Sequence, residues 1–229
     1  MNPAGEQATV AAAWDAEYRG GRYRTEPPLP FVDDILTAAH ERDCRDGIYV
    51  GCGNGRNYTR MVASGLDLIG LDVSVAAIQQ LADRLPDRRT RLIVGDLAAV
   101  RPGTQLRLVV GIQVFQHGRA AQASGHIRDA QALVARGGLL CVRVNADATD
   151  VFHDHRASER AADGSYTVQY LVGPKKGLFI HFFSRRSLTE LFAAGFTPVM
   201  PMRLSVTQRD APEIGQWSQW EGIWRRTKV

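Results

Sequence analysis

Short apolar runs alternate with amphipathic segments through the middle of the chain. The apolar runs predict buried strands at residues 47–50, 68–71, 92–94, 106–114 and 139–144. The segments between them place apolar residues at helical spacing, which predicts helices at 57–64, 74–85 and 119–136. Strands that alternate with helices are typical of a parallel sheet covered on both faces. Such sheets bind their ligands at the carboxyl ends of the strands.

The two ends of the chain depart from this alternation. The pattern predicts helices at 5–19 and 31–43, joined through an extended Pro-rich link at 27–30. After residue 144 the pattern predicts a polar stretch (145–164), a hairpin of two strands (166–172 and 178–183), a helix capped by Ser184 or Ser187 that ends at Gly195, and closing antiparallel strands at 197–208 and 217–226. We therefore expect a cap segment at 1–30 and one domain at 31–229, with a lid insert at about 145–183.

The composition is that of an ordinary folded domain. The chain has 229 residues, of which 45% are apolar and 23% charged, and a net charge of +4. The charge neither requires nor excludes a nucleic-acid partner. No apolar run approaches the roughly 18 residues that span a bilayer, so no membrane partner is expected. The three cysteines have no zinc-like spacing, and the first residues have no signal-peptide pattern, so we expect a cytoplasmic protein.

A glycine-rich turn follows the first predicted strand of the alternation. Gly51, Gly53 and Gly55 lie between that strand and the next helix, where backbone can approach a ligand and the helix N-terminus favours an anion. The dinucleotide fingerprint requires glycine at the sixth position, which is Arg56 here. The turn therefore disfavours a nicotinamide-dependent oxidoreductase. A glycine turn that binds no ligand remains an alternative.

Two carboxylates end the next two predicted strands. Asp72 suits the hydroxyls of a ribose, and Asp96 suits an adenine amino group. Either residue alone is also typical of a helix cap or a turn. The glycine turn and both acids at successive strand ends favour a nucleoside-binding site.

At these residues the chain resembles the class I S-adenosylmethionine-dependent methyltransferases. The resemblance rests on segments 51–55, 68–74, 95–97, 109–117, 133–141 and 183–196, and covers residues 31–226. It implies a three-layer α/β sandwich with a doubly wound, mostly parallel seven-stranded sheet in the order 3-2-1-4-5-7-6 and one antiparallel strand. It also implies S-adenosylmethionine as the cofactor and methyl transfer to an O, N or S atom, or a carbon, of a small-molecule acceptor. We expect a monomer or a homodimer.

The resemblance also assigns site residues. It implies cofactor contacts at Gly51, Cys52, Gly53, Gly55, Asn57, Asp72, Val73, Asp96, Leu97 and Gln113. Residues 14–23 resemble the N-terminal segment of thiopurine-, halide- and tellurite-type methyltransferases, which implies that Tyr18 covers the cofactor and that Trp14 and Tyr23 contact the acceptor. Packing of these aromatic side chains on the sheet is an alternative.

Histidines supply the candidate acid–base chemistry. His117 follows the fourth strand, where the resemblance places the acceptor, and an imidazole of ordinary pKa, about 6.5, can act as a general base there. His155, Tyr166 and His181 in the insert are further candidates for acceptor binding. His153 and His155 lack a visible third ligand, so no metal is expected.

Two departures from the family narrow the function. The Asn/Asp-Pro-Pro-Tyr/Phe motif of enzymes that methylate exocyclic amines of DNA bases is absent, and Gly111-Ile112-Gln113-Val114 stands in its place. Strand four also opens with Leu106 and Arg107 where the family often has an acid. We therefore expect no nucleic-acid partner. An RNA-modifying methyltransferase and a non-catalytic S-adenosylmethionine-binding regulator remain alternatives.

Overall fold

The helices and strands follow the predicted alternation. A computed structural model describes residues 3–227 of the chain, with side chains described from residue 10. The helices are α1 (Pro3–Arg19), α2 (Phe31–Glu41), α3 (Tyr58–Ala63), α4 (Val75–Arg84), α5 (Ala120–Leu133) and α6 (Arg185–Phe192). The strands are β1 (Asp46–Val50), β2 (Asp67–Asp72), β3 (Leu92–Val94), β4 (Leu106–Ile112), β5 (Val134–Asn145), β6 (His155–Arg160), β7 (Tyr166–Tyr170), β8 (Phe179–Phe182), β9 (Phe196–Gln208) and β10 (Gln216–Arg226). The outermost residues of the predicted cap segment and domain, 1–2 and 228–229, lie outside the described residues.

Seven strands form the main sheet in the order β3-β2-β1-β4-β5-β10-β9. The pairs from β3 to β5 are parallel, and β10 is antiparallel to both of its neighbours. The predicted strand order and its single antiparallel strand are therefore confirmed. Parallel strands β1 to β4 bring their carboxyl ends to one edge, where a doubly wound sheet binds ligands.

Apolar side chains cover both faces of this sheet. Phe31, Ile35 and Leu36 of α2 pack on one face together with Tyr58 and Met61 of α3. On the other face, Ile127 of α5 and Leu188 of α6 pack against strand residues such as Val109 and Val142. The fold is the predicted three-layer sandwich, and its two cores fix the strand ends that build the site.

Two helix boundaries test the predicted caps. The Ser74 hydroxyl accepts a hydrogen bond from the Ala77 amide at 3.1 Å and caps α4, as predicted. Ser184, rather than Ser187, caps α6 and accepts from the Ser187 amide at 3.0 Å. The predicted helix 119–136 is too long, because β5 already begins at Val134 and ends α5 at Leu133. Gly137 and Gly138 lie within this strand instead of ending the helix.

The insert contains more regular structure than the sequence predicts. The predicted hairpin is present as β7 and β8, but residues 155–160, predicted as a polar loop, form the edge strand β6 of a three-stranded sheet. This sheet docks on the chain after β4: the Gly118 amide donates to the Phe179 carbonyl and the His181 amide to the Gln116 carbonyl, both at 2.8 Å. The insert therefore fixes the backbone on both sides of His117.

Candidate functional site

A cavity of about 400 Å³ lies at the carboxyl ends of β1 to β4. One half, here the strand-end half, is lined by the glycine turn, Asp72 and Asp96. The other half, the aromatic half, is lined by Trp14, His117 and Phe179 with their neighbours Gly118, Gly177 and Leu178. Helix α1, the start of α5 and the loop before β8 therefore form the walls of the cavity together with the strand ends.

Steric constraints explain the first two glycines of the turn. Gly51 and Gly53 have φ values of +70° and +55°, a left-handed conformation that disfavours other residues. A Cβ on Gly51 would lie 2.7 Å from Val114, and one on Gly53 would collide with the Tyr18 hydroxyl. Both glycines line the cavity. Gly55 does not line the cavity: its φ is +96°, and a Cβ there would collide with Leu81 of α4.

Replacing Gly53 with alanine tests this explanation. Gly53→Ala should weaken binding of the cofactor product S-adenosylhomocysteine at least tenfold, because its Cβ displaces Tyr18 from the cavity wall. Gly65→Ala is the matched control, since Gly65 also has a positive φ, of +91°, but open space around it. Both variants should lose roughly 1–2 kcal/mol of stability through backbone strain. Calorimetry with equal losses of affinity in both variants would contradict the steric explanation.

Asp72 fastens the glycine turn to the end of β2. Its carboxylate accepts hydrogen bonds from the Gly53 amide at 2.8 Å and the Ser74 amide at 2.9 Å. Burial raises the pKa of Asp72, while the bonds from Ser74, Gly53 and Val73 act in the opposite direction. Asp72 and Val73 both line the cavity. Each carboxylate oxygen keeps a second lone pair for a ligand hydroxyl.

The ends of β3 and β4 complete the strand-end half. Asp96 caps a short turn by accepting from the Ala98 amide at 2.9 Å, and Asp96 and Leu97 line the cavity. Gln113 lines the cavity just after β4 and has a φ of +57°. Its backbone amide donates a hydrogen bond to the Arg143 carbonyl at 2.7 Å. Left-handed backbone at a residue other than glycine is strained and is concentrated at functional sites.

The side chains of Asn54 and Asn57 bond the glycine turn to neighbouring segments, and one of their acceptor atoms has no partner within the described residues. The Asn57 side chain accepts from the Leu29 amide at 2.9 Å and donates to the Tyr49 hydroxyl at 3.0 Å. The Asn54 amide nitrogen donates to the Arg22 carbonyl at 2.9 Å, whereas the buried Asn54 Oδ1 has no partner within the described residues. Asn54 lines the cavity, so this oxygen suits a ligand with a hydrogen-bond donor such as an ammonium group.

Aromatic side chains from the cap segment cover the same space. Tyr18 is buried and lies 6.0 Å from Trp14 between ring centroids. Tyr23 lies between the guanidinium groups of Arg22 and Arg56, at 4.8 Å and 5.4 Å from its ring centre. All three aromatic residues line the cavity, as does Arg56.

His117 contributes a polar side chain to the aromatic half. Its ring stands perpendicular to the Trp14 ring, with centroids 5.5 Å apart. Burial, together with the charge of Lys175 and the neighbouring His126, lowers the pKa of His117 to about 3. The ring is therefore neutral at physiological pH, and it suits hydrogen bonding and orientation more than the proton abstraction expected of an ordinary imidazole.

The other predicted acceptor residues do not line the cavity. His155 is exposed and its ring lies 2.9 Å from the His153 carbonyl. Tyr166 donates to the Thr149 carbonyl at 2.9 Å, and the buried His181 lies 2.9 Å from the Thr167 hydroxyl with a pKa lowered to about 4. The cavity reaches β8 at Phe179, and His181 lies further along the strand within the insert.

The sequence reasoning missed several lining residues. They come from the glycine turn, from the residue after β3, from the loop that leads into β8 together with its first residue, and from one face of α5: Asn54, Arg56, Gly95, Gln122, His126, Asp129 and 177–179. Gln122, His126 and Asp129 have helical spacing, which is the signal that predicts a shared face. Among the described residues, no group of three His, Cys, Asp or Glu side chains could hold a metal ion. No helix within residues 3–227 is long and apolar enough to cross a membrane.

Comparison with known families decides the class of this site. Residues 48–138 match the family described as a methyltransferase domain. The chain carries a methyltransferase domain over these residues. S-adenosylmethionine is the cofactor of this class, and the matched residues include the glycine turn, Asp72, Asp96 and His117. No curated protein matches the methyltransferase in a sequence search.

Solved structures share the fold at low sequence identity. The structure of 1,6-didemethyltoxoflavin-N1-methyltransferase from Burkholderia thailandensis matches with a TM-score of 0.65 and 16% identity, over 100% of this chain and 92% of that one. Magnesium protoporphyrin IX methyltransferase from Synechocystis PCC 6803 matches with a TM-score of 0.62 and 14% identity, over 96% and 97%. An amino pentose methyltransferase from Micromonospora echinaspora matches with a TM-score of 0.57 and 18% identity, over 93% and 97%.

The strand-end half fits S-adenosylmethionine. The glycine turn leaves room that a Cβ would fill, Asp72 and Asp96 offer acceptors for ribose hydroxyls and an adenine amino group, and the unpartnered Asn54 Oδ1 suits the ammonium of the methionine part.

Proposed function

We propose that the methyltransferase transfers a methyl group from S-adenosylmethionine to an O, N or S atom of a small aromatic molecule. The observation that carries this proposal is one continuous cavity, which joins the glycine turn and Asp72 to the aromatic half around Trp14, His117 and Phe179. A cavity that extends past the cofactor residues into an apolar pocket favours catalysis over a purely regulatory role.

The cofactor supplies an activated methyl group on a sulfonium, so the protein mainly aligns the reacting atoms. Within the proposal, Asp72, Asp96 and Asn54 hold the cofactor. Trp14 and Phe179 hold the acceptor ring, and the neutral His117 hydrogen-bonds the acceptor atom. Such orientation can contribute several kcal/mol, up to about 7–11 kcal/mol in well-aligned systems.

Two observations support a small acceptor. The cavity volume of about 400 Å³ lies in the range of small-molecule sites, roughly 300–1,000 Å³. The three structural neighbours described above are methyltransferases of 1,6-didemethyltoxoflavin, magnesium protoporphyrin IX and an amino pentose, which are all small molecules.

An acceptor screen tests the function. Purified protein with methyl-labelled S-adenosylmethionine should transfer label saturably to at least one small aromatic compound, and His117→Ala should lower that rate. Bulk tRNA and duplex DNA serve as competing acceptors in the same assay. Label that enters only RNA would contradict the small-molecule proposal, and bound cofactor with no transfer to any acceptor would favour the regulator.

A further inference from the structure

Lys175 occupies an aromatic box behind the acceptor pocket. It lies in the loop between β7 and β8, with its ammonium 5.9 Å from the ring centre of Trp14, 5.9 Å from Tyr170 and 5.1 Å from Trp217. All three distances are within the range of cation–π attraction. The rings come from α1, β7 and β10, so one side chain joins three distant parts of the fold. The adjacent Lys176 is exposed.

The positive charge of Lys175 is only partly balanced by its surroundings. Glu17 acts on it electrostatically, but Glu17 is itself paired with Arg22 at 2.8 Å. Arg209, which lies over the same Trp217 ring, is paired with Glu213 at 3.3 Å. Burial lowers the pKa of Lys175 to about 8, so the group is still mostly protonated at pH 7.

The field of this charge reaches the aromatic half of the cavity. Trp14 lines the cavity and its ring centre lies 5.9 Å from the Lys175 ammonium, and the charge of Lys175 is one cause of the lowered pKa of His117, which also lines the cavity. Three carboxylates also line the cavity: Asp72 and Asp96 at strand ends, and Asp129 on α5, where it acts on His126 together with Asp96. A positive potential over an apolar pocket disfavours a second cation there.

We propose that Lys175 determines the charge class of the acceptor, so that the aromatic half takes a neutral aromatic molecule with a phenolic O–H or a heteroaromatic N–H and rejects ammonium compounds. The inference rests on the proposed function and deepens it. Lys175 is a specificity-determining residue that acts through Trp14 and His117 and does not itself line the cavity.

The reaction balances for such an acceptor. The acceptor atom forms its new bond to the methyl carbon with its own lone pair, and the electron pair of the broken carbon–sulfur bond stays on sulfur. The proton of the acceptor O–H or N–H leaves to water. A nearby cation favours this loss of a proton, whereas an ammonium acceptor has no free lone pair until it is deprotonated.

Two matched probes test the inference on the protein saturated with S-adenosylhomocysteine. At pH 7, 2-naphthol is neutral and 2-naphthylmethylamine carries a positive charge, while their ring systems are the same. The wild-type protein should bind the naphthol about tenfold more tightly. Lys175→Met should reduce this preference to less than about threefold, and Lys175→Arg should retain it. Lys176→Met, which changes the exposed neighbour, should leave it unchanged.

The affinity of each variant for S-adenosylhomocysteine is measured in parallel. Helix α1 is held on α4 independently of Lys175, because the Asp15 carboxylate accepts from the Ala76 amide at 2.7 Å and the Ser74 hydroxyl at 2.8 Å, so this affinity should not change. If Lys175→Met fails to fold, Lys175→Gln takes its place. Equal affinities for the two probes, binding of neither, or a preference that survives loss of the charge would each overturn the inference. Failure of the wild-type protein to bind S-adenosylhomocysteine would instead overturn the proposed function.

Discussion

Asp72→Ala should weaken binding of S-adenosylhomocysteine by about 100-fold. The substitution removes the acceptor of the Gly53 and Ser74 amides, and with it the proposed bonds to the ribose. Hydrogen bonds to a charged group are worth about 1.5–3 kcal/mol each, so the loss of one or two ribose bonds accounts for this change. Because Asp72 also holds the glycine turn, the melting temperature should fall as well.

Controls separate the two roles of Asp72. Asp72→Asn keeps one oxygen acceptor in the same position and should lose only about tenfold in affinity, since neutral bonds are roughly half as strong as charge-assisted ones. Asp83→Ala removes an exposed carboxylate of α4 and should leave the affinity unchanged. Calorimetry is the measurement, with circular dichroism as the test of folding. An affinity of a folded Asp72→Ala protein within threefold of wild type would reassign Asp72 to a purely structural role.

His117→Ala should lower kcat by about 100-fold with the cofactor affinity unchanged within threefold. The imidazole stands against Trp14 in the aromatic half, away from Asp72 and the glycine turn, so its loss affects acceptor alignment and leaves cofactor binding intact. Misplacement of a reacting group by about 1 Å can cost this factor. His40→Ala, which removes a ring that lies 3.1 Å from the Ser64 carbonyl outside the cavity, is the control.

The pH profile gives His117 a second test. Because burial lowers its pKa to about 3, the ring is already neutral at every pH above about 5 and should contribute no inflection between pH 5 and 8. The sequence alone predicts an inflection near 6.5 for a base of ordinary pKa. A kcat/KM profile that rises through pH 6.5 in the wild type, and loses that rise in His117→Ala, would show that the ring titrates normally and acts as the base.

The strand-end half was predictable because its geometry is local. Glycine at a strand end, a carboxylate at the next strand end and another at the third are all visible in sequence, since parallel strands bring those ends to one edge. Gly55 shows the limit of this reasoning. Its spacing matches the cofactor turn, but the contact that requires glycine there comes from Leu81 of α4.

The aromatic half depends on contacts between distant segments, which no local pattern reports. Trp14, His117 and Phe179 meet only because β8 pairs with the chain after β4 and α1 lies across both. Phe179 and His181 are two residues apart in β8, but this spacing does not show that the cavity includes Phe179 and excludes His181. The edge strand β6 was missed because its charged, exposed residues lack the apolar pattern of a buried strand.

Calorimetry of the wild-type protein with S-adenosylmethionine, S-adenosylhomocysteine and NAD tests the central claim most directly. The geometry of the glycine turn, Asp72 and Asp96 predicts saturable binding of the first two ligands at one site per chain, with no competition from NAD. Absence of binding of either ligand up to about millimolar concentration, weaker than typical cofactor affinities, would contradict the assignment of this cavity as a methyltransferase site.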